Sequence, residues 1–124
     1  MKVKVPERAV LSQIMQYLKL QGCLVYRMNT GASVFQNAEG PRRFVRFGIR
    51  GMADVLAFTR SGTVVWVEAK SSTGRQSDTQ RVFQEEVEAF GHVYVLANSV
   101  DVVIEMFGKG AVNHQTAYGP KEGL

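Results

Sequence analysis

The chain has 124 residues, 45% of them hydrophobic and 21% charged, with only three prolines, a composition that suits one compact domain with its own core. No apolar run approaches the ~20 residues needed to span a bilayer, and the start, Met1-Lys2-Val3-Lys4-Val5-Pro6-Glu7, lacks the apolar stretch of a secretory signal, so the expectation is a cytoplasmic protein with no membrane association. The net charge of +4 favours a polyanionic partner, while the single Cys23 excludes an internal disulfide and a cysteine-based metal site and reads as a buried thiol.

In chain order, a first helix is expected to start at Pro6 and run to about Gln21, with Val10, Ile14, Tyr17 and Leu18 as its apolar stripe and Gly22 as its stop. Cys23 to Met28 reads as a strand and Asn29-Thr30-Gly31-Ala32 as a loop. The stretch Arg42 to Phe47 alternates in part between basic and apolar residues, and Gly48 and Gly51 punctuate the chain ahead of a strand from Met52 to Phe58. Its neighbour is the β-branched run Val64 to Val67, continuing to Lys70. Ser77, with Gln80 three residues on, matches a capping box for a helix from Asp78 to Phe90, whose inward stripe is Phe83, Val87 and Phe90 and whose stop is Gly91. A short buried strand, Val93 to Ala97, and a last helix, Val100 to Phe107 behind Ser99, complete an α-β-β-β-α-β-α order. This is an α/β domain with a mixed sheet flanked by helices over 1–107 and a loose tail over 108–124.

The polar residues that packing does not explain gather around one hairpin. Alternate residues of a strand share a face, so Glu68 and Lys70 project together from the end of an apolar segment. A three-residue loop, Arg60-Ser61-Gly62, pairs Phe58 with Val64 and sets Asp54 opposite Glu68, with β-carbons about 4.5 to 5.5 Å apart. Two facing carboxylates need a cation, and two hard oxygen donors suit a divalent metal such as magnesium. A two-residue turn at Ser61-Gly62 would instead pair Asp54 with Ala69 and turn Glu68 to the other face. An ordinary Glu68–Lys70 salt bridge beside a strand-end Asp54 is the plainer account of the same residues.

Gly51-Met52-Ala53-Asp54, followed after a hairpin by Glu68-Ala69-Lys70, resembles the PD-(D/E)XK nuclease pattern, and in particular its VRR-NUC branch, the virus-type replication-repair nucleases. Further matches are Glu7 in the first helix, the Asn29 to Ala32 loop, Gly48, Gly51, Gly74 and Gln80, and the resemblance spans about residues 6 to 107. Ala53 stands where the family usually has proline. The resemblance implies a restriction-endonuclease-like sheet and a DNA endonuclease hydrolysing phosphodiester bonds. Asp54, Glu68 and the Ala69 carbonyl would ligate magnesium or manganese, Lys70 would position the attacking water, Glu7 would serve as ligand or outer acceptor, and Gln80 would orient Lys70 or the water. Glu7 as a favourable charge in a helix's first turn and Gln80 as the capping-box partner of Ser77 are the structural alternatives. A stand-alone domain of this branch resembles the structure-specific members, which implies a homodimer cutting four-way (Holliday) junctions in a bacterial or phage-infected cell.

Arg42, Arg43, Arg46 and Arg50 lie within nine residues that hold no acid and lead into this site, a pattern that favours DNA phosphate binding over a solvated edge strand. Lys2, Lys4, Arg8, Arg75 and Arg81 are candidates to extend that surface; Asn29 and Thr30 either touch substrate or make a turn. His92 and His114 stand in no ligand-like spacing and read as structural or exposed, and Trp66 reads as support beneath the site. No serine sits in a nucleophile motif and no glycine pattern fits a P-loop or dinucleotide fingerprint, so no organic cofactor is expected. The remaining alternatives are a non-catalytic nucleic-acid-binding module and a general or restriction-type duplex nuclease.

Overall fold

A computed structural model describes residues 5–28, 32–36, 42–46 and 49–108, with side chains for 5–28 and 49–108. Helix α1 spans Glu7–Leu20. Pro6 is its cap rather than its first helical residue, because its backbone is extended (φ −68°, ψ 152°) and its carbonyl accepts from the Ala9 and Val10 amides at 3.0 and 3.2 Å. Val10, Ile14 and Leu18 are buried as their spacing predicts, joined by Leu11, and Tyr17 is half-buried with its ring edge-on to Phe107. The helix ends in a Schellman motif: Gly22, at φ +83°, donates to Lys19, and Cys23 donates to Leu18. That reversal feeds strand β1, Leu24–Arg27, directly from the helix. Cys23 is buried, as its apolar neighbours implied.

Strands β2 (Ala32–Gln36) and β3 (Arg42–Arg46) form an antiparallel pair, with Ala32 opposite Arg46 and Gln36 opposite Arg42. The sequence reading missed this pair, which raises the strands before the second helix from three to five, and it placed Ala32 in a loop although Ala32 opens β2. The partial alternation of Arg42 to Phe47 hints at a strand but names no partner, and the pairing with Ala32–Gln36 supplies it. Residues 29–31 lie outside the described residues.

Strands β4 (Val55–Phe58), β5 (Val64–Ala69) and β6 (Val93–Ala97) join β1 in a four-stranded mixed sheet of order β1-β4-β5-β6. The first three are antiparallel; β5 and β6 run parallel, connected through helix α2, Asp78–Ala89. Helix α2 also ends in a Schellman motif, with Gly91 at φ +84° donating to Glu88 and His92 donating to Val87. Helix α3, Val100–Gly108, closes the described fold and extends one residue past the expected domain end; 109–124 lie outside the described residues.

The two faces of the sheet are covered differently. Val55, Ala57, Val65, Val67, Ala69, Val95 and Ala97 meet α1 and α3 in the main core, where each large aliphatic side chain contributes about 1.5 to 3 kcal/mol by leaving water. On the opposite face α2 contributes Phe83 and the half-buried Val87, which pack against Ala53, Tyr94, Met52 and Trp66. Phe90, expected to complete that stripe, is 81% exposed, because the helix has ended at Ala89 and the chain is already turning. Leu96, expected buried, is exposed although Tyr94, Val95 and Ala97 of the same strand are buried; it lies on the α2 side of the sheet, two residues past Tyr94 and outside the cluster around Phe83. Among the described residues no helix is long and apolar enough to cross a membrane.

Candidate active site

The β4–β5 connection sets the site, and it has the odd length that the constellation requires. Gly62 adopts φ +91° and donates to the Thr59 carbonyl at 2.9 Å, while the Thr59 amide donates to the Thr63 carbonyl at 3.0 Å. The three residues between the threonines form the loop, Phe58 pairs with Val64 and Val55 with Val67, so the next residues outward, Asp54 and Glu68, face each other.

Asp54 is not itself in the strand, which begins at Val55 rather than Met52. The chain bends there, so Ala53 packs on the α2 side while Val55, two residues on, packs on the α1–α3 side. The bend lets the Asp54 carboxylate substitute for the ladder: Oδ2 accepts the Ala69 amide at 2.9 Å, and the Asp54 carbonyl accepts the Met28 amide at 2.7 Å. This Ala69 N–H contact is separate from the metal-ligand role that the resemblance implies for the Ala69 carbonyl. Fixed at both ends, Asp54 has little freedom to turn away.

Glu68 is 2% exposed and is the only buried carboxylate among the described residues. One oxygen, Oε2, accepts from the Gln80 Nε2 at 3.0 Å and lies 3.8 Å from the Lys70 ammonium. The other, Oε1, is buried with no donor. Glu7, at the start of α1, completes a cluster in which one carboxylate oxygen from each of Glu7, Asp54 and Glu68 lies within 4.8 Å of the others. Like charges at that distance repel by about 3 kcal/mol per pair at an effective dielectric of about 20, and one ammonium cannot offset three anions. Burial of Glu68 first, then the charge of Asp54, a hydrogen bond that protonated Glu68 makes to Asp54, and the charge of Glu7 push its carboxyl up to about 9, against the opposing pull of Lys70. The cluster therefore holds a proton at neutral pH or exchanges it for a cation. Three hard oxygen donors, one of them buried and unsatisfied, fit a magnesium- or manganese-sized ion.

The second helix holds Gln80 in place. The Ser77 hydroxyl accepts the Gln80 amide at 3.2 Å and the Gln80 Oε1 accepts the Ser77 amide at 2.9 Å, so the capping box forms and the Nε2 is left directed at Glu68. One conformation makes both the capping box and the bond to Glu68; the partner expected of Gln80 was Lys70 or a water, and the partner observed is Glu68. Gly51 supports this from below: at φ +79°, its α-carbon is so close to α2 that a β-carbon would come within 2.2 Å of the Thr79 carbonyl oxygen and 2.9 Å of the Gln80 nitrogen. The sequence marked Gly51 as punctuation; its closeness to α2 was not visible there.

Beneath the carboxylates, Trp66 packs edge-on against Phe83 at 5.0 Å and donates its indole N–H to His92 Nδ1 at 3.1 Å, which makes His92 a structural acceptor and Trp66 the support it was read as. Tyr94, absent from the expected site, is buried behind it; burial first, and then the charges of Glu68, Asp54 and Glu88, push its hydroxyl up to about 12, against a hydrogen bond from Gln76 Nε2 at 3.3 Å. No local motif marks Tyr94, because its place follows from pairing with Trp66 across the parallel ladder.

Of the basic candidates, Arg50 is exposed beside Asp78, Thr79 and Val82 at the start of α2, Arg75 is exposed, and Arg81 is paired with Asp78. Arg42, Arg43 and Arg46 belong to β3, and their side chains lie outside the described residues, as do Asn29, Thr30, Lys2, Lys4 and His114. The structure thus brings Glu7, Asp54, Glu68, Lys70 and Gln80 to one place. Comparison of the chain with protein-family models, with curated proteins and with solved structures finds no match.

Proposed function

We propose that the chain is a metal-dependent endonuclease that hydrolyses DNA phosphodiester bonds at the Glu7–Asp54–Glu68 cluster. The observation that carries this reading is the buried, donorless Oε1 of Glu68 inside a group of three carboxylates, next to one lysine. Three carboxylates this close, one of them buried, repel one another, and a divalent ion relieves that repulsion where a purely structural role gains nothing from it. The order Asp54, hairpin, Glu68-Ala69-Lys70 adds the resemblance to VRR-NUC nucleases.

In this reading Asp54 and Glu68 hold magnesium or manganese, with Glu7 as the third oxygen donor. The ion supplies Lewis-acid polarisation of a phosphoryl oxygen and a more acidic bound water. The chain's own groups do the rest. Lys70, held near Glu68 Oε2, orients the attacking water and places positive charge where the phosphorane oxygens gain negative charge. Gln80 fixes the Glu68 carboxylate through Oε2. The Ala69 amide does the same for Asp54. Four-way junctions are the favoured substrate, cut by a homodimer whose two sites act on two symmetry-related strands.

The test is cleavage of a four-way junction, a flap and a plain duplex with magnesium or manganese, with Asp54→Ala and Lys70→Ala alongside. Metal-dependent cutting by the wild type that both variants lose is the expected result, with the junction cut fastest. Wild-type binding without cutting under either metal would leave a non-catalytic module, and equal cutting by both variants would place the active site elsewhere.

A further inference from the structure

A groove of about 320 Å³ runs between α1 and β1, lined by Arg8, Leu11, Ser12, Met15, Gln16, Lys19 and Arg27. Three of its lining residues are cationic and none is acidic, and Arg8, Lys19 and Arg27 are all exposed. Among the described residues none of the three is held by a carboxylate. The sequence disperses this charge so that no basic run announces it: Arg8, Ser12, Met15 and Lys19 come together because they repeat at helical spacing, and Arg27 joins them because the Gly22 reversal sends β1 back along the helix.

Both walls of the groove lead to the carboxylate cluster. On the helix wall, Arg8 follows Glu7. On the strand wall, Arg27 precedes Met28, whose amide is bonded to the carbonyl of Asp54. From Arg8 to Lys19 the helix rises about 16 Å, the length of about five nucleotide steps of a duplex strand at ~3.4 Å each.

We infer that this α1–β1 groove is a DNA-backbone track that leads one strand into the carboxylate site, with Arg8, Lys19 and Arg27 each meeting a phosphate and Ser12 and Gln16 supplying neutral hydrogen bonds between them. The inference rests on the nuclease reading of the cluster and deepens it. It joins Lys19 and Arg27, which the sequence did not single out, to Arg8, which it did. Charge is the argument for the occupant: an all-cationic groove ending at a cluster that takes a divalent ion is complementary to a polyanion that must be delivered there.

The experiment is equilibrium binding of a fluorescein-labelled duplex and a four-way junction to the full chain in calcium or EDTA, across a salt series, for the wild type, a Lys19→Ala/Arg27→Ala double variant and Arg60→Ala. Arg60 is an exposed cation on the β4–β5 loop, outside the groove lining, and serves as a single-charge control. The double variant is expected to bind about ten-fold more weakly and to lose about two units from the slope of log affinity against log salt, with the control unchanged. Thermal melting checks that all three are folded. If the wild type binds and the double variant keeps its affinity and slope, the groove is not the track, although the nuclease reading stands. If the wild type binds no DNA at any salt, both fail. Displacement of bound DNA by polyglutamate at equal charge concentration would assign the groove to acidic peptide and overturn the inference.

Discussion

Glu68→Gln should make the metal-free protein more stable, and increasingly so as pH rises. An unfolded chain ionises this carboxyl near its ordinary value of 4.5, whereas the folded protein keeps the proton until about 9. Between those values the native state holds the Glu68 proton and the unfolded state does not, so this group's contribution to stability is greatest below pH 4.5 and falls as pH rises towards 9. The maximum slope is about 1.4 kcal/mol per pH unit, and the roughly 2.5 units between 4.5 and 7 cap the loss at pH 7 at about 3.4 kcal/mol. Water entry and relaxation around the cluster reduce this, so about 1 to 3 kcal/mol is expected. Glutamine has the same shape and no charge: its carbonyl can accept from Gln80 and Lys70, and its amide can donate towards Asp54. Thermal or urea unfolding in EDTA at half-unit steps from pH 5 to 9 reads the effect, at about 4 °C per kcal/mol for a domain this size. A variant whose advantage over the wild type is the same at pH 5 and pH 8 would refute the claim that Glu68 is held protonated. Manganese should reverse the order, stabilising the wild type and leaving Glu68→Gln almost unchanged.

Two further substitutions test the supports of the site. Gly51→Ala must push the start of α2 aside as well as strain a positive φ, and should cost about 2 to 4 kcal/mol in urea unfolding; Gly62→Ala, with equal strain and open space around it, should cost only about 1 to 2 kcal/mol. Equal losses at the two glycines would mean that the contact with Thr79 carries no weight. Phe83→Ala, which removes the ring between Trp66 and Tyr94, should cost about 3 to 5 kcal/mol and is read by the same unfolding curves; a loss under 1 kcal/mol would show that the α2 face is not a packed core.

Much of this site was legible in the sequence because short-range rules control it. The odd loop that makes Asp54 face Glu68 follows from Gly62 at a turn position, and the placement of Gln80 follows from a Ser77 cap three residues earlier. The helix stripes were legible for the same reason wherever the helix continued; Phe90 failed because its periodicity outlasted the hydrogen-bonded helix. Contacts that depend on tertiary pairing left no local trace. The β2–β3 hairpin needs both partners to be recognised, Tyr94 reaches the site only through the parallel ladder, and the Asp54–Ala69 bond exists because the chain bends where the alternation predicted a straight strand. Burial of Glu68 was equally unreadable, since a carboxylate at the end of an apolar run is usually the point at which a strand meets water.

The capping box of α2 illustrates how a site can narrow the choices at a position that local structure leaves open. Glutamate and glutamine serve equally well three residues after a serine cap, because only one side-chain oxygen is asked to accept. At Gln80 the second atom must donate, since what it meets is the Glu68 carboxylate. Glutamate would still begin the helix but would bring a fourth carboxyl to a cluster that already holds three. The amide is thus the one headgroup that satisfies a backbone N–H on one side and a carboxylate on the other, and a residue that secondary structure treats as interchangeable becomes, in this fold, a single chemical choice.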